Sequence, residues 1–307
     1  MSRVLLLFMD GVGLGADDPA CNPFAACEMP SLEALLGGRK LVLETAPYVG
    51  DEATLLAIDA TLGLPGTPQS ASGQATLLTG RNVPQEIGEH YGPKPNPPIQ
   101  QILREENIFS TVTQLGGKAT LLNAYPPQYF EAIERGHRLY SAIPLALTAA
   151  GLSLMTAEDI QAGRALSVDF TGEGWSARPE FPQVPLYSPS VAGAKLAQLA
   201  ARYDLAWFDF WPSDYAGHRQ DMNSAIALLE TFDAVLSGLL QAWEGHQDLI
   251  VLTSDHGNLE DLSQRGHTRN PVPALLIGSE ELRGRFGEGL ENLTHFVPAI
   301  HRTLFPA

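Results

Sequence analysis

The sequence has little cysteine, and this scarcity excludes several classes of protein. Cys21 and Cys27 are its two cysteines among 307 residues, and they form no CxxC or Cys/His spacing. Neither a disulfide-rich secreted fold nor a structural zinc finger is therefore expected, and we interpret both side chains as reduced thiols. The amino-terminal segment has a short apolar run that ends in an acid and has no cleavage-site pattern, so a cytoplasmic protein is predicted.

Long hydrophobic runs and positive charge are also scarce. No uninterrupted apolar stretch reaches the roughly 18 residues of a membrane helix, so no membrane span is expected. Lysine and arginine number 19 against 35 aspartate and glutamate, which gives a net charge of −16. Such a field repels polyanions, so neither nucleic acid nor an anionic membrane is expected as a partner. Monomer and homo-oligomer both remain open.

Short apolar runs and helical periodicity alternate along the chain. The runs are Val4–Met9, Ala119–Leu122, Leu205–Trp211, Leu249–Thr253 and Val272–Ile277. Runs of this length are typical of strands buried on both faces of a parallel sheet. Helices are predicted at Ala225–Leu240 and after Ser188-Pro189. The pattern predicts a single α/β domain over residues 1–307.

The middle of the chain differs from the rest. Residues 125–188 contain frequent prolines and weak strand signals, with possible helices at Leu145–Leu154 and Ala157–Ala165. We interpret this segment as a small insertion or cap on the core. A linker between two independent domains is the alternative.

Three of the apolar runs lead into an acid. Asp10 follows the first run, Asp214 follows the run that starts at Leu205, and Asp255 follows the run that starts at Leu249. Ligand sites in open α/β sheets form at the carboxyl ends of strands, so we expect these acids to converge. Convergence of like charges is costly without a cation, and the pattern therefore predicts a bound metal.

Three histidines accompany these acids. His218 lies four residues after Asp214, close enough for one helical turn to present both, and His256 is adjacent to Asp255. His267 precedes the last predicted strand. Mixed carboxylate and imidazole ligands favour zinc or manganese over calcium.

The candidate nucleophile lies in the Gly- and Pro-rich loop of residues 63–82. Ser70 and Ser72 fall where an apolar helical stretch is predicted to begin. The N-terminus of a helix favours an alkoxide or a phosphate, because its N–H groups are unpaired and its dipole is positive there. Either serine fits this description, and a plain helix cap is the alternative for each.

These features together resemble the alkaline phosphatase superfamily, in particular the branch of cofactor-independent phosphoglycerate mutase and phosphopentomutase. The matching segments run nearly the whole length of the chain in the family's order. They are Asp10-Gly11-Val12-Gly13, Gly63–Gly80, Asp214–His218, Ser254–Asn258, and His267-Thr268 with Asn270 and Pro273.

The resemblance implies a three-layer α/β sandwich with a mostly parallel central sheet, and two divalent metal ions, Mn²⁺ or Zn²⁺. One ion would take Asp10, Asp255, His256 and the nucleophile. The other would take Asp214, His218 and His267. The family nucleophile falls on Ser72, with Ser70 as the second candidate.

The implied activity is phosphoryl transfer on a small phosphorylated substrate through a serine. A phosphatase- or phosphodiesterase-type hydrolase is expected. A phosphoglycerate mutase-like phosphomutase and a non-catalytic metal-binding relative are the alternatives, and the sulfatase nucleophile pattern is absent. Arg81, Asn82 and Asn258 follow the motifs closely enough to be candidate phosphate contacts. Strong bases in the predicted cap are Arg135, Arg138, Arg164 and Arg178.

Overall fold

The computed structural model describes residues 2–243 and 248–306. The strands are β1 Arg3–Met9, β2 Tyr48–Val49, β3 Ala53–Ile58, β4 Ala119–Leu121, β5 Leu205–Phe210, β6 Asp248–Thr253 and β7 Val272–Ile277. The helices are α1 Pro23–Ala26, α2 Pro30–Leu35, α3 Ser70–Thr79, α4 Val83–Ile87, α5 Pro97–Glu105, α6 Ile108–Gln114, α7 Pro127–Glu134, α8 Ala142–Ala149, α9 Ala157–Gln161, α10 Glu173–Ser176, α11 Pro189–Ala200, α12 Pro212–Arg219, α13 Met222–Ala242, α14 Glu280–Gly287 and α15 Phe296–Leu304. Short 3₁₀ turns lie at Leu43–Thr45 and Leu293–His295.

The strands form one mixed sheet in the order β2-β3-β7-β6-β1-β5-β4. The neighbours β4, β5, β1 and β6 run parallel, whereas β7 is antiparallel to β6 and β3 is antiparallel to β7. The mostly parallel sheet predicted from the sequence is confirmed, and all five apolar runs form strands. The hairpin of β2 and β3 was not among the predicted strands.

Helices cover both faces of the sheet, as the three-layer prediction requires. Alternate residues of β1 point to opposite faces: Leu6 and Phe8 pack with α3, α5, α6, α8, α14 and α15, whereas Leu5 and Leu7 pack with α1, α2, α11 and α13. Each fully buried Leu or Phe contributes about 1.5–3 kcal/mol relative to an exposed one. The two apolar cores therefore fix the sheet and leave its carboxyl edge free for polar residues.

The segment predicted as an insertion, residues 125–188, carries α7 to α10 between β4 and α11. The two predicted helices there are observed in shorter form as α8 and α9. Part of the segment has a small apolar cluster of its own around Ile160, Trp175 and Phe181. Its independence as a cap stays a prediction.

Helix α13 is long and apolar enough to cross a membrane by length and composition alone. The sequence expectation considered only uninterrupted apolar runs. Polar residues interrupt the apolar run of α13, but its mean hydropathy stays high enough for a membrane span. Core helices meet the same criterion, and α13 packs along α11, with Leu229, Phe232 and Leu236 buried in the core.

Candidate metal centre

The three predicted acids meet at the carboxyl edge of the sheet. Asp10 directly follows β1, Asp255 follows β6, and Asp214 lies in the first turn of α12, which follows β5. Because these three strands are adjacent and parallel, their ends open on the same crevice. Ligand atoms of Asp10, Asp255 and His256 lie within 4.8 Å of one another.

A second group of ligand atoms adjoins the first and shares His256 with it. It consists of Asp214, His256 and His267, again with all ligand atoms within 4.8 Å. His218 lies on the next turn of α12 from Asp214, and its Nε2 is 3.3 Å from Asp214 Oδ2. The structure thus brings five of the six predicted metal-binding side chains into two overlapping groups, and it places His218 beside Asp214, outside both groups.

Backbone carbonyls orient two of the imidazoles. His267 Nδ1 donates to the carbonyl of Pro68 at 2.9 Å, which turns Nε2 towards Asp214. His256 Nδ1 faces the carbonyl of Gly257 at 3.3 Å, and its Nε2 is 3.3 Å from Asp10 Oδ1. The rings of His256 and His267 stack at 3.7 Å. Hydrogen bonds of this kind set the tautomer of a metal-binding histidine.

The clustered charges shift the pKa values of the group. Burial and the nearby Asp10 raise the pKa of Asp214, and they raise that of Asp255 well above its usual range. Burial opposes protonation of His256, but the surrounding carboxylates, led by Asp255, outweigh it and raise its pKa to about 10. Burial and the neighbouring His256 lower the pKa of His267 to about 4. A metal-free centre therefore holds protons where a metal-loaded centre would hold cations.

The donor set fits divalent cations. Asp10 Oδ1 and Asp255 Oδ2 are buried and have no hydrogen-bond partner among the described residues. An unpartnered buried carboxylate oxygen is costly, and a cation between the two would satisfy both. Carboxylate and imidazole ligands suit zinc and manganese.

The structure corrects the choice between the two serines. Ser70 opens α3, lies at the cluster, and has its Oγ 3.0 Å from His256 Nε2. Ser72 is fully buried, and its hydroxyl donates to the carbonyl of Gln69 and accepts from the N–H of Tyr91. Two helical positions are about 200° apart around the axis, so only one of the two can face the metals. The prediction of Ser72 as the inward-facing hydroxyl is wrong, and Ser70 takes that place.

Two of the candidate phosphate contacts are also wrong. Arg81 lies beyond the far end of α3, where its guanidinium pairs with Glu86 and Glu105. Asn82 caps α4 by accepting from the N–H of Gln85 at 3.2 Å. Both side chains follow the nucleophile helix in sequence, but the length of that helix carries them away from the site.

The third candidate, Asn258, lies in the centre but serves a different partner. Its Nδ2 donates to Asp214 Oδ1 at 2.7 Å and to the carbonyl of the same residue at 3.1 Å. Gly217 allows this contact, since a Cβ there would lie 2.6 Å from the Asn258 side chain. Asn258 therefore orients a predicted metal ligand.

A cavity of about 600 Å³ opens next to the centre. Asp10, Ser70 and Asp214 form one part of its wall. Other parts are formed by charged and aromatic side chains that the sequence prediction had not assigned to a site. Those are Lys94, Arg138, Arg178, Asp209, Tyr125, Tyr129, Trp175 and Trp211. The sequence offered two signals: Asp209 is a charged residue inside an otherwise apolar strand, and Arg138 and Arg178 are strong bases of the predicted cap.

Comparisons with known proteins agree with this geometry. A family model described as Metalloenzyme superfamily matches residues 188–299, which contain Asp214, His218, Asp255, His256 and His267. The 2,3-bisphosphoglycerate-independent phosphoglycerate mutase of Syntrophotalea carbinolica is 30% identical over 135 residues, which are 39% of this chain and 26% of the relative. The match thus spans about a quarter of the length of that curated relative.

Solved structures extend the likeness to the whole fold. A protein from Pyrococcus horikoshii aligns over 99% of this chain and 96% of its own, with a TM-score of 0.57 and 15% identity. The alkaline phosphatase of the Antarctic bacterium TAB5 aligns over 98% of both chains, with a TM-score of 0.50 and 13% identity. The chain has an alkaline phosphatase-like fold, and its residues 188–299 are similar to the Metalloenzyme superfamily. Five of the six candidate ligands lie within the matched residues 188–299, and Asp10 lies outside them.

Proposed function

We propose that this protein transfers phosphoryl groups through Ser70, with two divalent cations held by the six predicted ligands. The observation that carries the proposal is the position of Ser70 Oγ, 3.0 Å from His256 Nε2 and on the wall of the cavity. When bound, the cations would neutralise the phosphoryl oxygens and favour the serine alkoxide. Mn²⁺ or Zn²⁺ fits the donor set.

The residues of the chain account for the remaining steps. Ser70 Oγ attacks phosphorus, and the bond from phosphorus to the leaving oxygen breaks, which gives a phosphoserine and an alcohol. Ser70 is the first residue of α3, and the positive end of the helix dipole there favours the negative charge of the phosphoryl group. Attack of water on the phosphoserine then releases phosphate.

Hydrolysis is the outcome that we propose, because water reaches the Asp214 side of the centre. The His218 side chain there is 46% exposed. Phosphomutase action is the second candidate, favoured by Lys94, Arg138 and Arg178 on the cavity wall, which would retain an anionic intermediate for a second attack. On either course the substrate is a small phosphorylated molecule.

The cytoplasmic location and the absence of nucleic-acid or membrane partners stay predictions of the sequence.

Substitution of each serine in turn tests the assignment. Ser70→Ala should abolish phosphoryl transfer and phosphoserine formation with Mn²⁺ or Zn²⁺ present, while metal analysis still finds bound metal. Ser72→Ala is the matched control: it should keep the activity and lose about 1–2 kcal/mol of stability, since it removes a buried hydroxyl that makes two hydrogen bonds. Full turnover by Ser70→Ala would refute the proposal. Free phosphate among the products identifies a hydrolase, and an isomeric phosphoester identifies a mutase.

A further inference from the structure

Asp209 is a carboxylate in an unusual setting, near the end of strand β5, which is buried between β1 and β4. It is 6% exposed, and the residues on either side of it are apolar. The side chain of the buried Asn123 accepts from its N–H and donates to its carbonyl, each at 2.8 Å. These two bonds hold the backbone of Asp209 in place and leave its carboxylate uncommitted.

That carboxylate lines the same cavity as Ser70 and Asp214. Its Oδ1 is buried and has no hydrogen-bond partner among the described residues. Asp209 is also absent from both ligand groups that the described residues form. A buried acceptor without a partner costs about 1–3 kcal/mol, so a partner supplied by whatever fills the cavity would remove a real penalty.

The charges on the cavity wall indicate which kind of hydrogen-bond donor would pair with Asp209. Lys94, Arg138 and Arg178 line the same space, and they would repel an ammonium group. A neutral hydroxyl can donate to Asp209 without that repulsion. We propose that Asp209 is a specificity-determining residue that accepts a hydrogen bond from a hydroxyl on the leaving alcohol. This inference rests on the proposed function and names its substrate class as phosphoesters of hydroxylated alcohols.

A pair of substrates that differ in their hydroxyl groups tests the inference. Glycerol 3-phosphate and propyl phosphate share a three-carbon alcohol, and only the first carries free hydroxyls. The wild-type protein should favour glycerol 3-phosphate in kcat/KM, and Asp209→Leu should reduce that preference about tenfold or more, as is typical when a buried hydrogen bond to the substrate is lost. Asp209→Asn, which keeps one acceptor oxygen, should reduce it less.

The matched control is Asp233, another buried aspartate, whose carboxylate accepts from the N–H groups of Ser31 and Leu32 outside the cavity. Asp233→Asn should lower the Tm and leave the substrate preference unchanged. The Asp209 variants should lose preference without a fall in Tm, because the buried Oδ1 that they replace has no hydrogen-bond partner within residues 2–243 and 248–306. An unchanged preference in Asp209→Leu, or the loss of a bound metal on that substitution, would overturn the inference.

Failure of the proposed function gives a different result. In that case the wild-type protein turns over neither substrate, and equilibrium binding of the two compounds to the metal-loaded protein replaces kinetics. Tighter binding of glycerol 3-phosphate that Asp209→Leu abolishes still supports the inference. Equal binding of the two compounds to the wild-type protein overturns it.

Discussion

Glu260 connects the two loops that carry most of the candidate ligands. It is buried, and its Oε2 accepts from the N–H groups of Gly13 and Asn258 at 2.9 and 2.8 Å. Its Oε1 accepts from the hydroxyl of Thr268 and from Asn270 Nδ2. One side chain thus links the loop after β1 to both ends of the connection between β6 and β7.

Replacement of this carboxylate should loosen the centre without removing any metal ligand. Glu260→Gln puts an amide N–H₂ where an oxygen now accepts, so at least one loop loses its bond. We expect metal affinity to fall about 10- to 100-fold, as for other groups that orient metal ligands. Titration of the metal-free protein with Zn²⁺ by calorimetry measures the change. Glu280→Gln, on the exposed first turn of α14, is the control, and equal affinities for the two variants would contradict the role of Glu260.

The sequence predicted the place of a site residue where that residue comes shortly after a strand. Asp10 and Asp255 were found because each directly follows a buried apolar run. The choice between Ser70 and Ser72 depended on which residue begins α3, and a shift of two positions turns a side chain to the other side of a helix. Glu260 gave no signal, because its role depends on contacts such as that with the N–H of Gly13, which lies 247 residues away in the sequence.

At the scale of elements, α3 approaches the loop after β6 very closely. A Cβ on Gly73 would lie 2.9 Å from the carbonyl oxygen of Asp255 and 3.0 Å from its Cβ. The absence of a side chain at this position lets the start of the helix, with Ser70, reach the metal ligands.

The same substitution in two helices should therefore have opposite effects. Gly73→Ala should cost about 1–3 kcal/mol, since the new methyl group forces α3 away from Asp255. Gly284→Ala in α14, where a Cβ meets no atom within 4 Å, should stabilise by up to about 1 kcal/mol through helix propensity. Urea denaturation of both variants decides the matter, and stabilisation by Gly73→Ala would show that the close packing is wrong.

Strand existence was more predictable than strand direction. A continuous apolar run such as that of β7 indicates burial on both faces, and nothing in it tells whether the neighbour runs parallel or antiparallel. The two-residue strand β2 is too short to show any periodicity, and β3 pairs with β7 across more than 200 residues of sequence. Such pairing is decided by packing over the whole sheet.

At the scale of the whole molecule, the stability of the metal-free protein should depend on pH. The pKa of His256 is about 10 in the fold and about 6.5 in an unfolded chain. Its stabilising proton is fully present below about pH 6.5 and is lost as the pH rises towards 10. His267, with a pKa of about 4, is largely neutral in both states above pH 7 and does not offset this loss.

Metal-free protein should therefore lose up to about 1.4 kcal/mol per pH unit between pH 7 and 9. Metal-loaded protein should change less, because the cations take the place of the proton. Calorimetric melting of chelator-treated and Zn²⁺-loaded samples at pH 7, 8 and 9 measures both trends. Parallel curves for the two samples would show that protonation of the centre does not stabilise the metal-free fold.

The acids at the strand ends and the two cavity arginines come from separate stretches of the chain. Arg138 and Arg178 both belong to residues 125–188, whereas Asp10, Asp214 and Asp255 lie outside that segment. Replacement of this one segment by that of a related protein would exchange both arginines and leave every candidate metal ligand unchanged. Chimeras made at these two junctions should therefore take the arginine-bearing part of the cavity wall from the donor, and keep Asp209 and the candidate metal ligands of the recipient.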